Sequence, residues 1–471
     1  MNPQPKIGLL PLYLELYDKS LPEMRKVLDP FLEKVTASIE AIGIQLVPAP
    51  VCRLRTEVEA AVHSFHENDV DLIVTLHLAY SPSLEAVSPL IRAHQPILML
   101  DTTLDESFGL EVDPIRLLYN HGIHGVQDLA SVLRRYETFP FVVAGALSDP
   151  RVLERVGEIA RAALAAKRFK RTRALRVGPV FAGMGDFQIE EKTLNSELGI
   201  EIEEIAPENL LEDVLGITES EIEDEIARDV ENFRVEADPE VHRRSNRLGL
   251  GLRKYLERNG FGAFSLNFLA FDYSEGPLGT VPFLECSKAM ARGVGYAGEG
   301  DVLTASLVGA LQTAFGKTTF TEIFCPDWKG NSLFLSHMGE VNPEIAAACP
   351  RLYEKDFSFT PTQNPAVLTC AFRPGTATLV NLAPTAHKRF NLIAIRVEVL
   401  EDGTHPDLED WIRAWIRPEI PTERFLEVYS EQYGGTHHSA LMVGDHMKAL
   451  ESFARMTGLD FCPIGWERSD E

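Results

Sequence analysis

Positive charge is scarce in this sequence. Lysine and arginine number 45 against 70 aspartates and glutamates, a formal net charge of −25. A chain without basic excess cannot displace counterions from a nucleic-acid backbone, and an anionic membrane surface repels it for the same reason. Paired cysteines are missing as well: Cys52, Cys286, Cys325, Cys349, Cys370 and Cys462 are scattered, with no C-x-x-C pair. That excludes a zinc knuckle or a small disulfide framework and suits reduced thiols. No apolar run reaches the length needed to span a bilayer. The stretch from Met1 to Lys6 is polar and proline-rich, without the basic and apolar segments of a signal peptide. Together these absences predict a cytoplasmic protein that partners neither nucleic acid nor membrane.

What is present is an ordinary globular balance, 45% hydrophobic and 24% charged, in a chain of 471 residues that is too long for one core and predicts two or three domains. The first 170 residues alternate short apolar runs (Ile7–Leu12, Ile44–Pro48, Leu72–Leu76, Ile97–Leu100, Phe141–Ala144) with amphipathic stretches (Pro22–Ala41, Glu57–Glu67, Leu84–Ala93, Val126–Arg135, Arg151–Ala165). Strand–helix alternation of this kind predicts a parallel sheet with helices on both faces. Ligands of such sheets bind at the carboxyl ends of the strands, which singles out Tyr13–Asp18 and His77–Pro82. The basic cluster Lys167–Arg173 reads as an exposed helix end before an interdomain crossing rather than as a nucleic-acid patch, given the overall acidity.

The middle third begins with another alternating pattern and a strand at Ala174–Val180. In the acidic stretch Glu212–Glu231, Leu215, Ile217, Ile222, Ile226 and Val230 recur at roughly helical spacing, which predicts solvated helices with one buried face. Val241–Arg258 reads as a long helix stopped by Asn259-Gly260. A strand (Ala263–Phe268) and a helix (Phe283–Ala291) lead to the glycine-rich stretch Gly293–Gly300. From about Thr318 strand-like segments dominate (Thr319–Phe324, Ser332–Ser336, Ala366–Ala371, Ala377–Leu382, Asn391–Val399), separated by Pro, Gly and Asn turns, with helices expected at Thr422–Tyr433 and His446–Met456. The expected architecture is α/β: two Rossmann-like parallel-sheet domains (1–170 and 171–317), then a β-rich, barrel-like C-terminal domain (318–471).

Single residues leave their chemistry open. Gly293-x-Gly295-x-x-Gly298 has the glycine spacing of a dinucleotide fingerprint, but a helix precedes it and no ribose-binding acid follows in a βαβ unit, so that reading fails. The glycines instead let backbone approach closely and present Glu299 at the start of a helix opening at Asp301. Glu299 alone can be a first-turn residue complementing the helix dipole, Glu322 an outward-facing strand residue, and His337 a satisfied core histidine. His437 and His438 are adjacent and so point in different directions, which suits one ligand and one pocket residue. Cys325 lies near Glu322 but lacks the His/Asp arrangement of a nucleophile.

Taken in order and spacing, the motifs say more. Gly295-Tyr296-Ala297-Gly298-Glu299-Gly300-Asp301, then Lys329-Gly330-Asn331 with Ser336-His337-Met338-x-Glu340-Val341, then Gly434-Gly435-x-His437-His438 resemble the L-arabinose isomerases, within the looser L-fucose isomerase superfamily. The similarity runs thinly through nearly the whole chain. The resemblance implies a divalent-metal site made of Glu299, Glu322, His337 and His438, a mixed oxygen/nitrogen set that suits Mn²⁺, with Co²⁺ or Mg²⁺ as alternatives. It implies that Glu299 and Glu322 are also the acid/base pair of an aldose–ketose isomerase (EC 5.3.1 type) working through a cis-enediol. Leu12, Tyr13, His121, His124, Met184, Phe268, Phe324, Met338 and His437 correspond to the substrate pocket. His124 matches a histidine that the family delivers into a neighbouring subunit's site, which implies a homo-oligomer, trimer or hexamer, with shared active sites.

Three positions depart from the family pattern. Leu10 and His121 stand where the family carries glutamines, and Phe324 where it carries a tyrosine. A site built to hydrogen-bond a hydroxyl rejects analogues that lack it, so losing two amides and a phenol points away from L-arabinose, toward another pentose, a deoxyhexose or a related sugar. The competing classes are an epimerase or lyase starting from the same enediolate, and a non-catalytic sugar-binding protein on the same fold.

Overall fold

The computed structural model describes residues 3–403 and 405–466. They fall into two compact units that divide between Leu164 and Ala165.

The first unit is built on five parallel strands: β1 (Lys6–Leu12), β2 (Gln45–Pro48), β3 (Leu72–His77), β4 (Ile97–Asp101) and β5 (Phe141–Ala144), in the order β2-β1-β3-β4-β5. Every residue of β3 is buried, and β1 is buried from Ile7 onward. This is why those two strands read as continuous apolar runs, the pattern of a parallel sheet covered on both faces. Edge strand β2 has no fully buried residue. Helices Arg55–Glu67, Ser83–Arg92 and Ile123–Arg135 bring Val58, Phe65, Leu90 and Leu129 against Leu10, Leu12, Ile73 and Met99 of the sheet. The strand order reverses between β1 and β3, so the loops after them flank the switch point where open α/β sheets bind ligands.

The second unit begins with β6 (Arg173–Val177), β7 (Glu201–Ile205), β8 (Arg234–Val235), β9 (Ala263–Leu266) and β10 (Gly295–Gly298). Four of these make a second parallel sheet, β10-β9-β6-β7. The glycine-rich stretch is therefore a strand, not a phosphate-binding turn. A Cβ on Gly295 would lie 1.9 Å from the Ala305 carbonyl oxygen, so the glycine is what lets the buried helix Val302–Phe315 lie directly on β10.

The acidic stretch forms helices Leu211–Leu215 and Glu219–Asn232, the second opened by a Thr218/Glu221 capping box. The expected buried face is wrong in part. Leu215 and Val230 are exposed, while Glu225 and Asp229 are buried beside Ile222. The carboxylates can be there because they are paired: Glu225 with Arg253 (2.7 Å) and Lys288 (2.9 Å), Asp229 with Lys288 and with His242 (2.7 Å). Residues 222, 225 and 229 share one helical face, and apolar spacing alone cannot show that two charges on it have partners.

The remaining strands are β11 (Thr318–Asp327), β12 (Ser332–Ser336), β13 (Arg351–Glu354), β14 (Ala366–Thr369), β15 (Gly375–Pro384), β16 (Phe390–Val399), β17 (Ala414–Pro418), β18 (His438–Val443) and β19 (Asp460–Pro463). An antiparallel ring, β15-β18-β11-β12-β17-β16, closes through the ten-residue β15–β16 ladder into a barrel, and β19 joins β16 in parallel. Closure removes exposed ladder edges. Strands β13, β14 and β8 form a small side sheet. The architecture is thus α/β, with two parallel sheets and a closed β-barrel, as the alternation and the later β-rich texture predict. Among the described residues no helix is long and apolar enough to cross a membrane.

Candidate metal centre

Each acidic ligand candidate is delivered by a strand. Glu299 follows β10 directly; its N–H donates to the Leu266 carbonyl (2.8 Å) and its own carbonyl accepts from Phe181 N–H (2.9 Å). Its φ is +65°, a left-handed conformation that costs a non-glycine residue of order 1 kcal/mol. That backbone turn takes the chain from strand into the helix beginning at Val302 and leaves the carboxylate at the junction. Glu322 lies on β11, opposite Ser336 of β12 on one side and His438 of β18 on the other. Barrel register therefore puts Glu322 beside one histidine and one residue from the next, His337.

The side chains converge. Glu299, Glu322, His437 and His438 each offer one ligand atom, and these atoms all lie within 4.8 Å of one another. His438 Nε2 is 3.2 Å from Glu299 Oε2 and 3.1 Å from Glu322 Oε1. His337 Nε2 is 3.4 Å from Glu322 Oε1. His437 stands further off, its Nε2 3.8 Å from Glu299. The Phe320 ring lies between His337 and His438, with centroid separations of 4.6 and 4.9 Å, and Phe187 stacks on His438 at 4.8 Å.

Behind each imidazole sits a second carboxylate. His438 Nδ1 pairs with Asp301 Oδ2 (2.9 Å), His337 Nδ1 with Glu340 Oε2 (2.8 Å), and His437 Nδ1 with Asp186 Oδ2 (2.6 Å). Tyr296 donates its hydroxyl to the other Glu340 oxygen (2.7 Å). A carboxylate on the far nitrogen fixes the ring's orientation and turns Nε2 toward the cluster, the usual support of a metal-binding histidine. With two carboxylates and several oriented imidazoles, the donor set fits a divalent cation of borderline softness.

The electrostatics follow from this packing. Burial pushes the Glu299 carboxyl up, but the imidazoles of His437 and His438 outweigh it and bring the pKa down to about 2. Burial likewise raises Glu322, and His337 and His438 pull it below the usual carboxylate range. For His337, burial opposes protonation while Glu340 and Glu322 more than compensate, lifting it to about 10. His438 is raised well above the ordinary value against the same burial effect, by Asp301, Glu299 and Glu322. Without a cation, protons on the imidazoles balance the carboxylates.

The other expected pocket residues are distributed as follows. Met338 is half-buried next to His337. Met184 and Asp186 lie in the loop after β6, and Phe268 follows β9 in a cluster with Phe181, Phe357 and Phe359. Phe324 is half-exposed at a β-bulge between Ile323 and Cys325. In the first unit, Leu12 and Tyr13 are buried, Leu10 points into the apolar core, and His124 is exposed in the first turn of its helix. His121 donates from Nδ1 to the Leu118 carbonyl (3.1 Å), and its Nε2 pairs with the Tyr17 hydroxyl (3.0 Å). Sequence reasoning missed the roles of Asp301, Glu340 and Asp186. Asp301 and Glu340 lie inside motifs already singled out and Asp186 is two residues after Met184, and an acidic residue near a candidate site residue or helix start was the available signal.

Residues 189–316 match the L-arabinose isomerase central domain and residues 317–460 the L-arabinose isomerase C-terminal domain. L-arabinose isomerase of Mycolicibacterium smegmatis is 28% identical over 415 residues, 84% of this chain and 80% of the relative. The enzyme of that name from Nocardioides sp. is 27% identical over 447 residues, 91% of this chain and 88% of the relative. That of Acidothermus cellulolyticus is 25% identical over 466 residues, 92% and 88% of the two chains.

Proposed function

Because the chain is a divergent member of the L-arabinose isomerase family, and so an aldose–ketose isomerase by descent, we propose that it isomerises a pentose, a deoxyhexose or a related sugar other than L-arabinose at the Glu299–Glu322 cluster. The observation that carries this is the convergence of Glu299, Glu322, His437 and His438, whose ligand atoms lie within 4.8 Å of one another, with His337 standing outside that group but 3.4 Å from Glu322. Glu299, Glu322, His337 and His438 are the residues that would hold the cation, Mn²⁺ by the softness of the donors. When bound, it would supply positive charge against the negative charge that develops on the sugar's O1 and O2.

The chain's own residues account for the proton movements. A carboxylate held ionised at neutral pH, as both glutamates are, is ready to accept the proton at C2. Loss of the C2 proton with gain of a proton on the carbonyl oxygen O1 gives the cis-enediol; release of the O2 proton and delivery of a proton to C1 complete the ketose. Once one glutamate has taken up a proton, its neighbour's proton affinity changes, so the two need not serve the same role in the two halves of the reaction. Phe320 and Phe187 exclude water from the imidazole side of the cluster.

The same reading includes a homo-oligomer in which His124 serves a neighbouring subunit's site, a cytoplasmic location, and a division of the chain at about residues 170 and 317. The decisive experiment is a panel of aldoses and ketoses assayed with Mn²⁺ and with EDTA, alongside Glu322→Gln. Turnover should require the metal and fall by about 10³-fold or more in the variant, the scale of losing one group of a cooperating acid/base set. Metal-independent turnover or a fully active variant would defeat the proposal. Products altered at carbons beyond C2 would instead indicate an epimerase or lyase, and tight sugar binding without turnover a binding protein.

A further inference from the structure

Asp186 touches none of Glu299, Glu322, His337 and His438, yet it makes two hydrogen bonds to His437, a residue 251 positions away at the edge of the cluster. A single oxygen, Oδ2, accepts from the backbone N–H of His437 (3.0 Å) and from its Nδ1 (2.6 Å). The backbone of His437 is already held by other means. Tyr429 donates its hydroxyl to the Thr436 carbonyl (2.6 Å), and Asn381 donates to Thr436 Oγ1 (2.7 Å) and to the His438 carbonyl. The ring of Tyr429 also lies where a Cβ on Gly435 would be, 2.2 Å away. What remains free at His437 is rotation of the ring, and Asp186 removes it.

The fixed orientation has a specific result. With Nδ1 committed as donor to Asp186, Nε2 lies 3.8 Å from Glu299 Oε2, an ion-pair distance that is too long for a hydrogen bond. His438 Nε2, by contrast, closes to 3.2 and 3.1 Å on both glutamates. Freed from Asp186, the His437 ring can turn and take Glu299 as its own partner. Held, its Nε2 keeps Glu299 at ion-pair distance and has no hydrogen bond at normal range among the described residues.

Resting on the isomerase reading, we propose that Asp186 is a positioning residue for the reaction: it holds His437 off Glu299 so that Nε2 meets a sugar oxygen beside the carboxylates. Removing the carboxylate behind a metal-ligating histidine costs about 10–100-fold in activity or affinity, and the same scale is expected for the orientation of His437. Asparagine at 186 keeps a carbonyl oxygen able to accept both hydrogen bonds, so the role predicts partial rescue by Asp186→Asn.

The test compares wild type, Asp186→Ala, Asp186→Asn and His437→Ala, plus Asp186→Ala combined with His437→Ala. Asp186→Ala should lower kcat about 10–100-fold with little change in KM or in Mn²⁺ affinity measured by calorimetry. Asp186→Asn should recover most of the loss, and Asp186→Ala should add nothing in the His437→Ala background. Nitrogen-15 spectra of the metal-free protein should show the His437 Nδ1–H signal in wild type and Asp186→Asn but not in Asp186→Ala. An equal penalty for Asp186→Ala in both backgrounds, an unchanged kcat, or a fall in Mn²⁺ affinity parallel to kcat overturns the role. Wild-type protein inactive on every sugar with Mn²⁺ overturns the isomerase reading and this role together, whereas an active wild type matched by Asp186→Ala overturns this role alone.

Discussion

His337 shows how much of one residue's behaviour depends on what surrounds it. From the sequence it is a histidine between apolar runs, as compatible with a core position as with a site. In the structure it is buried with Glu340 on Nδ1 and Glu322 on Nε2, and those two charges lift its pKa from 6.5 to about 10 against the opposing effect of burial. A histidine whose folded pKa is raised adds stability that is complete below its unfolded value of 6.5 and is lost as the pH climbs through about 10. Glu299 works in the opposite sense. Its pKa is lowered from 4.5 to about 2, so its contribution is present above 4.5 and lost as the pH falls through about 2. The melting temperature of metal-free protein should therefore decline between pH 6.5 and 10. His337→Gln should flatten that alkaline limb, and an unchanged slope in the variant would contradict the pairing. The histidine was legible as a candidate, but its proton affinity was not, because Glu322 reaches it only through the β11–β12 register.

The helix Val302–Phe315 joins local structure to the site at the scale of an element. Asp301 is its N-cap, with Oδ1 accepting from Thr304 N–H (2.9 Å), while Oδ2 holds His438 Nδ1 (2.9 Å). One carboxylate thus starts the helix and aims a metal-ligand candidate 137 residues later. The two duties can be separated. Asp301→Asn keeps a good cap and should cost little stability, yet should weaken Mn²⁺ binding about 10–100-fold by replacing the charged partner of His438. Asp301→Ala loses both and should also cost about 0.5–2 kcal/mol of stability. Calorimetric Mn²⁺ titration combined with denaturant melts distinguishes them, and equal metal affinity in Asp301→Asn and wild type would show that the pairing is incidental. The helix start was readable from the Gly-Glu-Gly-Asp motif, since capping is a local signal. Strand β18 was less readable: Gly434-Gly435 ahead of His437-His438 has the texture of a loop, and only pairing with β11 and β15 makes His438–Val443 a strand.

Across the whole molecule, one buried feature bears on stability rather than on the site. Glu225 and Asp229 lie inside the second unit with Arg253, Lys288 and His242. Burial raises the Glu225 carboxyl, and Arg253 and Lys288 pull it far below its ordinary value. Removing one member strands the opposite charges in a dry interior, so Glu225→Ala should destabilise the protein by about 3–5 kcal/mol. Its urea midpoint should fall accordingly, while Mn²⁺ affinity stays as in wild type; a variant as stable as wild type would mean that water reaches the pair freely. Such a network defeats periodicity arguments, which place charged residues outside by default.

Local chemistry settled much of this protein in advance. Apolar runs with helical stretches between them specify covered parallel strands, turn residues after Thr318 specify a β-rich end, and motif order singles out Glu299, Glu322, His337 and His438 as site candidates by resemblance. Tertiary structure decided which of them meet. Glu299 and His438 are 139 positions apart, and they touch only because a parallel strand ends in a left-handed turn and a closed barrel sets its register against it. It also supplied Asp186, Asp301 and Glu340 behind the imidazoles. A side chain's partner across space is fixed by non-local packing, and no spacing along the chain encodes it.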